Sequence, residues 1–459
     1  MLQNRRFQAD PYDPTQNPDG YIKLSSADNL LCTDLVNGRF KLIEWQKFIL
    51  GLSKACLCNH QDRLYDDDPY DSTQNPNGFI KLSNADNSLC ADIVDQKYKS
   101  IQWEKFDTHE LLTYPRSGGE PTTLESLAKF INKFCRPGLN PIKAEELILV
   151  PGVTTGSDVL SQILFEPEDS VLVPGPNYYR FTNDLGDRGL VNVQVVPALF
   201  EQSELRIEEF QKAYETAPSP VRAVMITNPQ NPEGRFFTLD ELRPIVKWAL
   251  SKKLFVILDE IYDLTIYDQE SNGRKYQTAT ELFETDEERQ YMVWMWGLSK
   301  NLSMPGLRVS VIRSSNEMVT KAAARCLMFH HPNALTQFVI REIVNDHDWV
   351  QNVYIPTNFQ RLRNAREFVL HHLDKLGLPY MKPMAGFYVL VDFRKHLDEP
   401  SFEAERRLHT RLLDNKVILS AGETMFASEP GWFRLVFTAT PESELIEGIN
   451  RIEKTLASK

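Results

Sequence analysis

Short apolar runs separated by helical patterns recur through the middle of this 459-residue chain, and they limit the folds open to it. Three of the runs are AVMITNPQNPEGR, LFVILDEIYDLTIY and MVWMWGLSK, and each ends in polar residues. The segment LDELRPIVKWALSKK, between the first two runs, has helical spacing. Strands that alternate with helices in this way predict an α/β fold with a parallel sheet and crossover helices. In such sheets ligands gather at the carboxyl ends of the strands, so we expect the functional site where these polar clusters lie.

Composition and charge exclude several classes of function. With 42% hydrophobic and 25% charged residues, the chain is typical of a soluble globular protein with about two or three domains. The net charge is −12 and no dense Lys/Arg stripe occurs, so we expect no nucleic-acid partner. The chain has no run of about 18 apolar residues and no signal-peptide core, so we expect no membrane contact and a cytoplasmic location.

The cysteines indicate neither a metal site nor a disulfide framework. Cys56 and Cys58 are one residue apart, too close for a CxxC site, and the other cysteines show no zinc-ligand spacing. In a reducing compartment these residues need no disulfide. The six are Cys32, Cys56, Cys58, Cys90, Cys135 and Cys326.

The N-terminal part of the chain contains an internal repeat. Residues 10–48 return as residues 68–106, with 25 of 39 aligned positions identical at a constant offset of 58. A solenoid needs at least about three units, so one duplication excludes that architecture. The second copy is continuous with the rest of the chain, and we expect it to take the native position while the first copy is peripheral. The predicted parts are a duplicated peripheral segment (1–67), an N-terminal segment that completes the small domain (68–112), a large domain (113–332) and a small C-terminal α+β domain (333–459).

A lone lysine, Lys300, follows the buried run MVWMWG in the turn GLSKNLSMPG, which returns to apolar residues through Arg308. Among apolar residues the charged form of an amine is disfavoured, so its pKa falls and it can act as the nucleophile or base that Schiff-base chemistry requires. A surface lysine on an ordinary loop is the alternative for this motif taken alone.

A second motif, ELILVPGVTTGSDVL, places an apolar run before a Gly/Thr/Ser turn that opens a helix. We predict the helix start at Gly156, Ser157 and Asp158. The free N–H groups and the dipole of a helix start suit a phosphate. A simple N-cap is the alternative.

Five clusters, in consistent order, resemble those of the pyridoxal-phosphate enzymes of the class I aminotransferase family, most closely its 1-aminocyclopropane-1-carboxylate (ACC) synthase-like branch. The resemblance covers about residues 68–459. It implies a three-layer fold, in which a large domain has a mostly parallel sheet flanked by helices and a smaller domain is α+β. The clusters are QNPNGFIKLSNADNSL, TNPQNPEGR (227–235), LDEIY (258–262), GLSKNLSMPGLR (297–308) and EPGWFRLVF (429–437).

The resemblance assigns the residues around the cofactor ring. Lys300 would hold pyridoxal 5'-phosphate through a Schiff base and, once freed by an incoming amino acid, would remove the Cα proton. Asp259 would keep the ring nitrogen protonated, so that the ring acts as an electron sink. Asn231 and Tyr262 would contact the phenolic oxygen, and Tyr178 would stack on the ring face.

The resemblance also assigns the residues that bind the two anionic groups. The cofactor phosphate calls for Ser299, Arg308 and the turn at residues 156–158. Tyr114 would reach the phosphate held by the other subunit, which implies a homodimer. Arg434 would clamp the α-carboxylate of the substrate, because its planar fork matches a carboxylate.

Two departures from the family pattern bear on the reaction. ACC synthases usually carry Ala-Glu-Asn in the N-terminal segment, near the substrate, whereas this chain has Asp86 in place of the glutamate. Gly297 stands where many relatives have a serine for the phosphate. We therefore rank first the transamination of an α-amino acid, in specialised metabolism. A carbon–sulfur lyase or ACC synthase ranks second, and a catalytically inactive dimeric scaffold third. The substrate side chain stays open.

Overall fold

The computed structural model describes residues 61–135, 141–197, 205–268, 270–271 and 274–457. The first copy of the repeat lies outside these residues, and so does its predicted peripheral position. The chain divides into two units, residues 1–62 and 63–459, and the architecture below is that of the second unit.

The strands and helices alternate along the described chain, as the sequence pattern predicts. The strands are β1 Ile80–Lys81, β2 Leu147–Val150, β3 Ser170–Pro174, β4 Asn192–Val196, β5 Val221–Thr227, β6 Phe255–Asp259, β7 Glu270–Ser271, β8 Arg274–Lys275, β9 Met292–Gly297, β10 Ser310–Arg313, β11 Tyr380–Met381, β12 Tyr388–Asp392, β13 Val417–Ile418, β14 Ser420–Ala421 and β15 Trp432–Val436. The α-helices are α1 Ala91–Lys99, α2 Pro121–Phe134, α3 Val153–Leu164, α4 Phe181–Gly186, α5 Ile207–Thr216, α6 Leu239–Ser251, α7 Asp286–Arg289, α8 Leu298–Asn301, α9 Glu317–Cys326, α10 Ala334–Val344, α11 His347–Trp349, α12 Ile355–Lys375, α13 Phe402–Asp414 and α14 Glu442–Ala457.

The large sheet has seven strands in the order β2-β10-β9-β6-β5-β3-β4. Neighbours from β9 to β4 run parallel to one another. The strand β10 runs antiparallel to both β2 and β9. The predicted, mostly parallel sheet is confirmed.

Alternate residues of the central strands face opposite layers of helices, as the pleat of a strand requires. Along β9, Trp294 and Trp296 pack in one core with α2, α6 and α10. Val293 and Met295 pack in a second core with α3, α4 and α9. Helices therefore cover both faces of the sheet, which gives the three layers of the predicted fold.

A smaller body is built around the antiparallel sheet β11-β12-β15-β14. Its core includes side chains of α12, α13 and α14 together with Ile80 and Leu82 of the second repeat copy. The strand β1 pairs in parallel with β13. Leu82 continues this pairing, because its N–H donates to the carbonyl of Ile418 over 2.9 Å and its carbonyl accepts from Val436 N–H over 2.8 Å.

The packing of two helices differs from the boundaries expected from the sequence. Ile93 of α1 and Phe338 and Ile340 of α10 belong to the core of the large sheet, although residues 68–112 and 333–459 were assigned to the small domain. The core of the smaller body includes residues of α12 from Ala365 onward. An amphipathic pattern identifies the apolar face of a helix but not the core that this face joins.

In the described part of the chain, every helix is too short or too polar to traverse a lipid bilayer.

Candidate active site

A cavity of about 320 Å³ lies where β5 and β6 of the large sheet end. Thr227 and Asp259, the last residues of these two strands, line it and are register partners. Lys300, just beyond the end of β9, and Arg434, from β15 of the smaller body, line the same cavity. Its volume is within the range of small-molecule sites. The polar clusters that follow the predicted strands therefore meet at one place.

Asp259 is a buried acid without a cation partner in the described residues. Its side chain is 4% exposed, and its carboxylate accepts a hydrogen bond from Ile261 N–H over 3.3 Å. Burial raises the pKa of Asp259 to about 7, against the lowering effect of that hydrogen bond. A cation brought to this carboxylate would relieve the burial penalty and lower the pKa again.

Glu260, the next residue, has a different environment. Its carboxylate accepts hydrogen bonds from Thr278 Oγ1 over 2.6 Å, Ala279 N–H over 2.7 Å and Trp294 Nε1 over 2.8 Å. These partners lie away from the cavity and tie the loop at residue 278 to the sheet. Strand alternation thus leaves Asp259 as the acid of this pair that faces the cavity.

Lys300 lies on the one-turn helix α8, directly after β9. Its Nζ donates to the carbonyl of Ala85 over 2.5 Å and lies 3.5 Å from Oδ1 of Asp86. Burial lowers the pKa of Lys300, and the charge of Asp86 opposes this effect. Asp86 is half-exposed, so water screens its attraction for the amine. Both residues face the cavity.

Arg434 is 3% exposed and has no carboxylate partner in the described chain. Its Nη1 donates to Asn231 Oδ1 over 2.7 Å, and its Nη2 donates to the carbonyl of Ser83 over 2.7 Å and to Ser420 Oγ over 3.2 Å. Its Nε is buried without a hydrogen-bond partner among the described residues. The guanidinium also lies over the ring of Tyr388, 5.3 Å from the centroid. The site therefore holds an uncompensated cation.

Two tyrosines line the cavity beside Asp259. Tyr262 is buried, and burial raises the pKa of its phenol to about 12, so the phenol is a neutral donor. Its ring packs edge-on against Tyr388, with centroids 5.7 Å apart. Tyr178 packs edge-on against Phe181 at 5.4 Å, and burial raises its pKa. A flat ligand between them would contact aromatic surface as well as polar groups.

The other end of the cavity is lined by Ser299, Arg308 and the first residues of α3, Val153 and Thr154. The guanidinium of Arg308 makes long hydrogen bonds, of 3.3 and 3.5 Å, to two backbone carbonyls. Gly152 has φ +94° there, and a Cβ on it would lie 2.2 Å from Nη2 of Arg308. Glycine is therefore required at 152 both for backbone conformation and for the approach of Arg308.

The predicted start of this helix at Gly156 is wrong. The helix α3 begins at Val153, and the N–H of Gly156 already donates to the carbonyl of Gly152 over 3.1 Å. The N–H groups left without an intrahelical acceptor are those of the residues before Gly156. The positive φ of Gly152 fixes the start, and a sequence pattern does not reveal which glycine of a Gly/Thr/Ser turn adopts it.

Ser157 and Asp158, which were expected at the phosphate, do not line the cavity. Asp158 is paired with Arg188, with Oδ2 2.8 Å from Nη1. Ser157 is buried in the second turn of α3, and its Oγ has no hydrogen-bond partner among the described residues. Because the helix begins earlier than predicted, residues 157 and 158 lie in its second turn, and their side chains point away from the cavity lining.

Tyr114 is 97% exposed and lies outside this cavity. Its predicted contact with the phosphate held by another subunit stays a prediction.

Two residues near the site escaped the sequence analysis. Tyr388 donates from its hydroxyl to the carbonyl of Gln230 over 3.1 Å and packs against both Tyr262 and Arg434. Asp184 lines the cavity, and burial raises its pKa despite Arg180, whose Nε is 3.4 Å away. Tyr388 lies in the apolar run AGFYVLVDF, which gives no signal for a functional residue.

These residues fit the cofactor that the sequence resemblance implies. Asp259 is a buried carboxylate that a protonated ring nitrogen would complement. The Arg308 guanidinium and the start of α3 present donors for a phosphate, and the Lys300 amine lies in the same cavity. In the described residues no group of His, Cys, Asp and Glu side chains could hold a metal ion.

Comparisons with known proteins identify the family of this chain. The family model for class I and II aminotransferases matches residues 79–452. The 1-aminocyclopropane-1-carboxylate synthase-like protein 1 of Mus musculus is 33% identical over 405 residues, which cover 86% of this chain and 79% of the mouse protein. The 1-aminocyclopropane-1-carboxylate synthase 9 of Arabidopsis thaliana is 30% identical over 409 residues, covering 86% of each chain.

Among solved structures, an aspartate aminotransferase from Thermotoga maritima superimposes with a TM-score of 0.69. The match covers 88% of this chain and 96% of that one, at 22% sequence identity. This likeness concerns the fold.

Proposed function

Because this chain belongs to the class I and II aminotransferase family, whose members use pyridoxal phosphate, we propose that it is an aminotransferase acting on an α-amino acid. One observation carries the proposal: Lys300, Asp259 and Arg434 line a single cavity although they come from three separate elements. They supply a base, a partner for the cofactor ring and a partner for the substrate carboxylate.

The side chains that line the cavity support the cofactor contacts that the sequence resemblance implies. Asp259 would hold the ring nitrogen, Asn231 and Tyr262 the phenolic oxygen, and Tyr178 a ring face. Ser299, Arg308 and the start of α3 would hold the phosphate. When bound, the cofactor supplies a ring that accepts the electrons released when a bond at the substrate Cα is broken.

Arg434 would bind and orient the substrate through its α-carboxylate. Its guanidinium is already fixed by Asn231, Ser83 and Ser420, so little side-chain freedom is lost on binding. A buried arginine without an acidic partner gains a charge-assisted, bidentate contact when a carboxylate arrives. The carboxylate end of the amino acid would thereby fix the position of Cα relative to Lys300.

Lys300 would move the proton. Burial lowers the pKa of its amine, which increases the neutral fraction able to accept a proton from the substrate Cα. In transamination the same amine releases the proton at a different carbon, so a single base suffices for both steps. Lys300 lines the cavity and meets this requirement, which supports transamination.

A second candidate, a carbon–sulfur lyase or ACC synthase, is favoured by Asp86. Its carboxylate lies 3.5 Å from Lys300 Nζ, and both residues line the cavity. It occupies the place of the glutamate that ACC synthases usually carry. The printed names of the mouse and Arabidopsis relatives agree with this candidate.

We also propose that the protein works as a homodimer. Tyr114 and Leu112 are 97% and 80% exposed, and two large apolar side chains so close together indicate a surface that another subunit covers. Sedimentation of the purified protein tests this proposal. A dimer with Tyr114→Phe weakening cofactor binding supports it, and a monomer with full activity contradicts it.

Absorption spectroscopy and product analysis test the function. The purified protein with pyridoxal phosphate is expected to show the visible absorbance of a lysine-bound cofactor, and Lys300→Ala to lose it. Each amino acid is then incubated with a keto acid, while S-adenosylmethionine and cysteine conjugates are tested separately. A new amino acid supports transamination, whereas ACC, or free thiol with ammonia and pyruvate, would select the second candidate. Absence of the absorbance in the wild-type protein would leave the inactive scaffold.

A further inference from the structure

Gly297 and Ser310 are directly opposite each other at the end of two neighbouring strands. Gly297 is the last residue of β9, Ser310 is the first residue of β10, and they are register partners in the antiparallel pair. A Cβ on Gly297 would lie 2.1 Å from Oγ of Ser310 and 3.0 Å from its Cβ. The side chain of Ser310 therefore occupies the space that a side chain at position 297 would need.

Backbone conformation does not require glycine at position 297. Its φ of −165° and ψ of 163° are extended values that any residue adopts. The requirement is one of space, and it comes from Ser310. The two positions are thus coupled, because the Ser310 side chain on β10 fits only when position 297 on β9 has none.

The hydroxyl of Ser310 has no role in the packing of the protein alone. Ser310 is completely buried, and its Oγ makes no hydrogen bond to any described residue. A buried polar atom without a partner is unfavourable, and alanine would fill nearly the same volume without that penalty. The hydroxyl is therefore free to donate to a partner that is not part of the polypeptide.

The surroundings indicate the chemistry of that partner. Gly297 directly precedes α8, which carries Ser299 and Lys300, and Ser310 is two residues beyond Arg308. A Cβ on Gly156 of α3 would be 3.5 Å from Met295 Sδ and 3.6 Å from Ile312 Cγ1. These two residues share a strand face with Gly297 and Ser310, so α3 covers that face. Gly297 and Ser310 do not themselves line the cavity, but both adjoin residues that do, at the end where Arg308 and the start of α3 present donors to an anion.

We propose that the Ser310 hydroxyl is an additional hydrogen-bond donor to the cofactor phosphate, supplied from β10 because Gly297 leaves the space on β9 open. The inference rests on the assignment of a phosphate-bearing cofactor to this cavity. In this chain, the serine that many relatives carry at position 297 would be replaced by Ser310 on the opposite strand.

Cofactor titration of the apoprotein tests the proposal, with pyridoxal, which lacks the phosphate, as the second probe. Ser310→Ala is expected to raise the dissociation constant of pyridoxal phosphate about tenfold and to leave that of pyridoxal unchanged. The same variant is expected to keep or raise the melting temperature of the apoprotein, because it removes a buried unpaired hydroxyl.

Ser314→Ala is the matched control, because Ser314 is buried just beyond the other end of β10 and donates to the carbonyl of Met292 over 2.9 Å. It should lower the apoprotein melting temperature and change neither dissociation constant. The exchange Gly297→Ser with Ser310→Gly should restore phosphate affinity to within about threefold of wild type, whereas Gly297→Ser alone should not.

Equal weakening of both probes by Ser310→Ala would overturn the proposal, as would unchanged affinity for pyridoxal phosphate. A lower apoprotein melting temperature would show instead that the hydroxyl stabilises the fold. If the wild-type protein bound neither probe, the assignment of the cofactor itself would fail, and this result is distinct from a loss confined to the variant.

Discussion

Asp259 and Glu260 are consecutive residues whose carboxylates have opposite environments. Asp259 faces the cavity with a single hydrogen bond from Ile261 N–H, whereas Glu260 accepts three hydrogen bonds, from Thr278, Ala279 and Trp294. The carboxylate of Asp259 has one long hydrogen bond, whereas that of Glu260 is satisfied. Removal of the charge should therefore have opposite effects on the stability of the protein without cofactor.

Asp259→Asn is expected to stabilise the apoprotein at pH 8 by at least about 1 kcal/mol. Burial raises the pKa of Asp259 to about 7, so between about pH 4 and pH 7 the folded protein holds a proton that the unfolded chain has lost. The free energy of unfolding of the wild type therefore falls as pH rises through this window, and asparagine lacks that dependence. The gain should shrink towards pH 4.

Urea unfolding of the apoprotein at pH 5 and pH 8 measures this difference. Glu260→Gln is the control and should destabilise the apoprotein at both pH values, by about 1–3 kcal/mol, because an amide nitrogen would face donors. An Asp259→Asn apoprotein less stable than wild type at pH 8 would contradict the account of an uncompensated buried charge.

Asp86→Asn is expected to make Lys300 reactive at lower pH. The charge of Asp86 raises the pKa of Lys300 against the lowering by burial, so its loss lowers that pKa further. The neutral amine is the form that captures the cofactor aldehyde. The pH midpoint of the capture rate should fall, and only modestly, because Asp86 is half-exposed and water screens its charge. Stopped-flow absorbance measures the rate, and Asp86→Glu should restore the midpoint; a rise in the Asn variant would refute the pairing.

Arg434→Lys is expected to lower kcat/KM for α-amino acids by at least about 30-fold, because an ammonium cannot form the two parallel bonds of a guanidinium. Cofactor absorbance should persist. Steady-state kinetics with an amino acid and binding of the corresponding decarboxylated amine measure the effect, and affinity for the amine should change little. Arg406→Lys, at an exposed arginine paired with Glu403 and Glu423, is the control. Equal losses for the two ligands would argue against a carboxylate contact.

Gly152→Ala is expected to weaken cofactor binding more than tenfold, because its Cβ would displace the Arg308 guanidinium and φ is +94°. Gly156→Ala is the matched variant one helical turn away. Its Cβ would have its nearest neighbour at 3.5 Å, so it should bind the cofactor normally and gain up to about 1 kcal/mol of stability. Fluorescence titration of the two apoprotein variants measures their affinity for the cofactor. Similar losses of affinity in both would support the turn at 156–158 as the phosphate site.

Deletion of residues 1–66 is expected to leave activity and melting temperature unchanged. The second repeat copy keeps its contacts with the smaller body, including Asp68 with Lys416 at 3.0 Å and the pairing of Ile80 with Val417. Activity assays and thermal melts of the shortened chain provide the measurement. Aggregation or loss of activity would mean that the first copy has a structural role.

The sequence predicted part of the cluster of Asp259, Lys300 and Arg434 because two of its members stand where strands end. Asp259 ends β6, Lys300 follows β9 and Arg434 lies within β15, so strand recognition alone brings the first two together at one sheet edge. The start of α3 was placed three residues late, since it depends on the φ of Gly152. That angle is a property of the folded backbone, and the alternation of apolar and polar residues does not contain it.

Contacts between elements were harder to predict. The sequence of helix α10 is amphipathic, and this pattern is compatible with either domain. In the structure its apolar face packs with α2 in the core of the large sheet. Ser310 lies in an ordinary apolar run, and its relation to Gly297 depends on strand register. Tyr388 likewise acquires its significance from neighbours that are more than 100 residues away in the chain, Tyr262 and Gln230.

Two carbonyls of the second repeat copy hold the two cations of the site. Ser83 accepts from Arg434 over 2.7 Å, and Ala85 accepts from Lys300 over 2.5 Å. In the proposed function, an amino acid would displace both hydrogen bonds, with its carboxylate at Arg434 and its reacting centre at Lys300. Because only Asn84 separates the two acceptors in the chain, a shift of residues 83–85 would accompany both events.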